Sequence, residues 1–164
     1  MPGLAVEVAS KSKIADFFPS LMSFKSAMFR VSQRIDFCYG HRLLNYDGKC
    51  KYLHGHNGRA VISLEGERLD HRGILVDFTE IKNSIRSWID DSLDHCMILH
   101  EADPLLPMFQ QHEQPVFAIP HNPTAENIAR VIFEFAQQQG FPVVEVTLWE
   151  TPNSSAAYGL PRAK

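Results

Sequence analysis

The sequence has little cysteine, and its arrangement argues against pairing. Cys38, Cys50 and Cys96 are odd in number and irregularly spaced. This does not fit a secreted disulfide framework and points to free thiols in a reducing, cytoplasmic setting. No apolar run approaches the roughly 20 residues needed to span a bilayer, so no membrane partner is expected. Residues 1–12, MPGLAVEVASKS, lack a basic region followed by a long apolar one, and no signal peptide is expected. There is no basic stripe, and the net charge is −3. That argues against a nucleic-acid partner while leaving room for a local basic pocket. Repeats and low-complexity segments are absent. What remains is 164 residues, 45% of them apolar, enough for one domain to bury a core without covalent staples.

Residues 1–27 show no sustained period and read as a poorly ordered extension. From Phe29 the pattern sharpens. Phe29, Val31, Ile35 and Phe37 alternate with Arg30, Ser32, Arg34 and Asp36, which predicts a half-buried strand. A polar loop is expected from Tyr39 to about Leu53, a second strand over Gly58 to Glu67, and a turn over Leu69 to Gly73. Asp77 to Glu80 form a capping box, followed by an amphipathic stripe of Ile81, Ile85, Trp88 and Ile89 ending near Asp91. Residues 92–115 read as irregular, and Val116 to Ile119 as a short strand. A second helix starts with either Asn122 or Thr124 as its cap, buries Ile128, Ile132, Phe135 and Ala136, and ends at Gly140. Val143 to Glu150 is a strand with a hairpin partner over Ser154 to Tyr158. This order predicts an α+β domain with helices on one face of an antiparallel sheet.

Eight histidines are many for this length. In an extended segment, His54 and His56 fall on the same face of a strand. His41 follows the first strand. Three neutral imidazoles leave a fourth position open on tetrahedral zinc, as catalytic sites do. Gly55 between two of them permits close backbone approach. Cys50, four residues before His54, is either a base with a depressed pKa beside the cation or a fourth ligand closing a structural site. Cys38 and Cys96 read as small buried hydrophobes. Trp88 and Trp149 read as packing residues. His71, His100, His112 and His121 read as solvent-facing. Taken alone, Leu93-Asp94-His95 is a helix terminator and Glu150 a surface acid.

Together, however, Phe37-Cys-Tyr-Gly-His41, Cys50-Lys-Tyr-Leu-His54-Gly-His56-Asn57, Leu93-Asp94-His95, Pro123-Thr-Ala-Glu126-Asn127 and Trp149-Glu150-Thr151 resemble the 6-pyruvoyl-tetrahydropterin synthase and 6-carboxytetrahydropterin synthase family, in the family's order. The match runs from about Phe29 to Tyr158. The resemblance implies a tunnelling (T-) fold over residues 28–164, an antiparallel sheet carrying two helices on one side. It further implies a homo-oligomeric ring, a hexamer or another T-fold assembly, with sites between subunits. It implies Zn2+ on His41, His54 and His56, and Cys50 as the base acting on the substrate side chain. Asp94 and His95 become a proton relay. Glu150 anchors the pterin ring and is counted with the relay, and Thr124 and Glu126 lie near the pterin.

The short Cys-x-x-x-His-Gly-His interval resembles the bacterial 6-carboxytetrahydropterin synthases of queuosine (7-deazaguanine) biosynthesis. These convert 7,8-dihydroneopterin triphosphate to 6-carboxy-5,6,7,8-tetrahydropterin, acetaldehyde and triphosphate. A 6-pyruvoyl-type elimination and a non-catalytic zinc-stabilised module are the alternatives. Lys49, Lys51, Arg42 and Arg59 are the nearby cations for the triphosphate. Two features depart from the family pattern: Gly58, where an aromatic often stands, and the segment CMILHEADPLLP after His95.

Overall fold

The computed structural model describes residues 28–161; the expected extension over residues 1–27 lies outside them. Strand β1 (Phe29–His41) and strand β2 (His54–Gly66) pair antiparallel along their full lengths. Both are longer than the sequence pattern indicated, and both extend into the histidines. The core face of this pair carries Ile35, Phe37, Tyr39 and His41 from β1 and Gly58, Ala60, Ile62 and Leu64 from β2. Arg30, Ser32, Arg34 and Asp36 alternate to the other face, as period-two geometry requires.

The remaining elements are helix α1 (Phe78–Ile81), a π-helical turn (Lys82–Arg86), helix α2 (Ser87–Ser92), strand β3 (Cys96–His100), helix α3 (Leu106–Gln111), strand β4 (Val116–Ile119), helix α4 (Ala125–Gln138), strand β5 (Val143–Thr151) and strand β6 (Ser154–Gly159). The six strands form one sheet in the order β4-β3-β1-β2-β5-β6. The pairings β1–β2, β2–β5 and β5–β6 are antiparallel, in line with expectation. Strands β3 and β4 join in parallel, so the sheet is mixed. Residues 92–115, expected to be irregular, in fact hold β3 and α3.

Asp77 caps α1 by accepting a hydrogen bond from Thr79 N–H at 2.9 Å. Thr124, not Asn122, caps α4. Helix α1, its π-helical turn and α2 contribute Ile81, Ile85 and Ile89 to the core, and α4 contributes Ile128, Ala129, Ile132, Phe133 and Ala136. Trp88 stacks on Phe135 at 4.2 Å. Burying each of the large side chains stabilises the fold by roughly 1.5–3 kcal/mol. The helices therefore cover one face of the sheet, and the row of residues on that face ends in the histidines. Among the described residues no helix is long and apolar enough to cross a membrane.

Candidate metal centre and its surroundings

The antiparallel register places His41 opposite His54 and Tyr39 opposite His56. Alternation then turns all three imidazoles to the core face, beyond the last apolar residues. The ring centroids lie 4.4, 5.0 and 5.2 Å apart, and one nitrogen of each ring falls within 4.8 Å of the others. His41 is buried at 3% exposure. Gly55 is required between the two β2 ligands, because a Cβ there would lie 2.9 Å from the Tyr39 carbonyl oxygen.

Two backbone carbonyls orient these rings. His41 Nδ1 donates to Pro123 O at 2.6 Å, and His54 Nδ1 donates to Tyr52 O at 2.8 Å. A carbonyl only accepts, so in the neutral rings both Nε2 atoms carry free lone pairs. His41 Nε2 and His56 Nε2 approach to 3.1 Å. Carbonyl-anchored imidazoles with convergent Nε2 atoms are the usual arrangement of a histidine metal site. Burial pushes the His41 imidazole below its usual pKa, against the opposing pull of the Pro123 carbonyl and the Glu150 carboxylate. A neutral ring is the form a cation needs. The donor set therefore fits a borderline divalent ion such as zinc.

The Pro123 carbonyl is itself fixed. Asn122 Oδ1 accepts from Leu44 N–H at 2.7 Å and Asn122 Nδ2 donates to Leu44 O at 2.9 Å, tying the start of α4 to the chain after β1. Arg42, next to His41, makes a two-pronged contact with buried Asp103 at 2.7 and 2.6 Å. Burial alone would raise the Asp103 pKa, but Arg42 and the Leu105 N–H outweigh it and hold the carboxyl below its usual value. Arg42 is thus committed to Asp103, and Arg59 pairs with Asp36 at 2.7 Å. Of the four cations near the motif, Lys49 and Lys51 are exposed beside Cys50.

Glu150 sits at an irregularity in the β5–β6 pairing, between Trp149 and Thr151. It is half-buried on the histidine side. The Tyr39 hydroxyl donates to Glu150 Oε1 at 3.1 Å, and that oxygen lies 3.8 Å from His41 Nε2. Burial first, and the carboxylate second, keep the Tyr39 hydroxyl protonated far above its usual range. Gly58 belongs with this arrangement. A Cβ at Gly58 would lie 2.7 Å from the Tyr39 ring, so Tyr39 fills the volume that a side chain at 58 would otherwise take. Cys50 lies in a short 3-10 turn (Lys49–Lys51), half-buried, its carbonyl accepting from Leu43 N–H at 2.8 Å. Its sulfur is outside the histidine cluster. Thr124 Oγ1 accepts from Asn127 N–H at 3.4 Å as the cap of α4, and Glu126 is exposed in its first turn.

Asp94 and His95 lie elsewhere. Asp94 Oδ1 accepts from Cys38 N–H at 2.7 Å, His95 N–H donates to Cys38 O at 2.6 Å, and His95 Nδ1 meets Asp94 Oδ2 at 2.9 Å. Cys38 alternates with His41 and Tyr39 and faces the opposite side of the sheet. Its thiol donates to Asn57 Oδ1 at 3.1 Å, so it is half-exposed and hydrogen-bonded rather than a buried hydrophobe. Cys96 is buried, as expected. Trp149, expected to pack, is instead exposed beside Asn57 and Arg59 on this outer face.

Sequence reasoning missed Tyr39, Asn122 and Asp103. Continuing the β1 alternation past Phe37 would have found Tyr39; the other two act across long sequence separations and leave no local signal.

A family model for 6-pyruvoyl tetrahydropterin synthase matches residues 30–160. The 6-carboxy-5,6,7,8-tetrahydropterin synthase of Rickettsia bellii is 37% identical over 133 residues, 77% of this chain and 96% of its own. The Haemophilus influenzae protein of the same name is 30% identical over 139 residues, 80% and 99% of the two chains. The structure of Caenorhabditis elegans 6-pyruvoyl tetrahydropterin synthase superposes with a TM-score of 0.63 at 23% identity, over 85% of this chain and 100% of that one. An uncharacterized protein from Wolinella succinogenes gives a TM-score of 0.68 at 26% identity, over 82% and 99%. The architecture is the T-fold. A match over this much of the sequence, on a sheet that brings the three motif histidines together, makes the chain a member of the 6-pyruvoyl tetrahydropterin synthase family.

Proposed function

We propose that the protein is a zinc-dependent 6-carboxy-5,6,7,8-tetrahydropterin synthase. In this reading it acts on 7,8-dihydroneopterin triphosphate, releases acetaldehyde and triphosphate, and serves queuosine biosynthesis. The observation that carries the reading is the Cys50-x-x-x-His54-Gly-His56 interval, joined to a cluster of three histidines that leaves Cys50 outside it. Relatives at 30–37% identity that bear the carboxy-type name support it.

Bound zinc would supply Lewis acidity, polarising a side-chain oxygen of the substrate and acidifying the neighbouring C–H. His41, His54 and His56 would hold it. Cys50 would take the side-chain proton. Glu150 would accept hydrogen bonds from the pterin ring N–H and amino groups, with Thr124 and Glu126 at the mouth of α4. Lys49 and Lys51, exposed beside Cys50, are the cations in reach of the triphosphate. His95, its tautomer fixed by Asp94, would exchange a proton on the other side of the substrate.

The sheet separates the face that carries Cys38, Asp94 and His95 from the face that carries the histidine cluster. A chain therefore does not bring its own His95 to its own cluster, and a neighbouring copy would contribute it. That argument supports a homo-oligomeric ring with sites between subunits.

Product identification by mass spectrometry, with metal-replete and chelated protein, tests the reading. Acetaldehyde and the carboxypterin are the expected products, lost on chelation. A 6-pyruvoyl product would replace this reading with the sister activity, and absence of turnover would leave a structural module.

A further inference from the structure

We propose that Cys38, Asp94 and His95 form a second cation site, selective for a thiophilic divalent ion such as zinc, whose occupation shuts off proton exchange at His95. The reaction proposed above makes no use of the Cys38 thiol. Yet a donor atom from each of these three residues lies within 4.8 Å of the other two. Tetrahedral bonds of roughly 2.0–2.3 Å put ligand atoms about 3.3–3.7 Å apart, so small side-chain rotations bring this set into range.

The backbone holds the cluster in place. Cys38 N–H and C=O bond Asp94 and His95 at 2.7 and 2.6 Å, and His95 adopts φ 55°, a left-handed conformation that a non-glycine residue holds only where its surroundings impose it. Cys38 and His95 both line two surface cavities of ≈ 280 and ≈ 370 Å³, giving an ion and its remaining waters access. Asn57 now accepts the Cys38 S–H; rotated about its last bond, its amide would donate to a thiolate instead.

One thiolate, one imidazole and one carboxylate favour zinc, cadmium or cobalt over magnesium or calcium. On binding, the ion displaces the thiol proton to solvent and takes the His95 nitrogen now paired with Asp94, so the ring proton moves to the other nitrogen and the tautomer needed for exchange is lost. The site itself is independent of the proposed reaction; only the loss of turnover rests on that reading.

Titration of the metal-free full chain with Zn2+, and separately with Co2+, tests this. Two equivalents per chain are expected, the weaker one accompanied by a thiolate-to-cobalt absorption. Cys38→Ser should lose that equivalent and the absorption while retaining the tighter one. His95→Gln should bind the weaker ion at least roughly tenfold less tightly. Excess zinc should suppress turnover of the wild type and not of Cys38→Ser. A single equivalent in the wild type, or a second equivalent and absorption that survive Cys38→Ser, would overturn the site. If no turnover is found at all, the functional reading falls while the stoichiometry still decides whether the site exists.

Discussion

The two faces of the β1–β2 pair carry two clusters of chemistry held in different ways. On the core face His41, His54 and His56 extend the apolar row of the strands, with His41 buried and two of the rings tied to backbone carbonyls. On the outer face His95 projects from a turn, with its side chain 79% exposed, and depends on Asp94 and the backbone of Cys38. The first cluster is preorganised by the fold, and its donor set fits a divalent cation. The second is steady in its backbone and open at its tip.

The sharpest way to break this contrast is to remove a core-face ring. His54→Ala should lose the tightly held metal and all measurable turnover while the outer cluster keeps its geometry, read by elemental analysis alongside a crystal structure. Cys50→Ala should keep that metal and lower turnover by roughly 10²–10⁴-fold, the usual span for a general base; loss of metal would instead make Cys50 a ligand. Asp103→Ala should destabilise the fold by about 1.5–3 kcal/mol, because it removes a charge-assisted, two-pronged hydrogen bond to Arg42, whose own guanidinium is part-exposed. The folded pKa of Asp103 lies below its unfolded value. The contribution is therefore full above about pH 4 and is lost as pH falls through the folded value, so wild type and variant should converge in acid denaturation. The smallest effect belongs to Asn122→Ala. It loosens the carbonyl behind His41 and should weaken metal binding about tenfold with little change in melting temperature.

The same contrast explains what was legible in the sequence. Alternation, broken only by Gln33 on the apolar face, revealed β1, and the His-Gly-His spacing already put His54 and His56 on one face. Cap signals located α1 and α4. Strand β3 was passed over because Cys96 to Leu99 is a short continuous apolar run, which fits a buried strand or a helix segment alike and carries no alternation to decide between them. Its parallel pairing to β1 is a long-range choice that no local pattern records. For the same reason Arg42 read as a free cation: its partner is 61 residues away. Glu150 could be named from the motif, but its approach to Tyr39 and His41 depends on an irregular β5–β6 pairing and is visible only in three dimensions.

X-ray absorption at the zinc edge, on protein loaded with one equivalent, tests the central claim most directly. Three convergent imidazoles, two of them oriented by backbone carbonyls, with a vacant position predict a shell of nitrogen and oxygen only, at about 2.0–2.1 Å. A sulfur shell near about 2.3 Å, or full activity in protein stripped of metal, would contradict it.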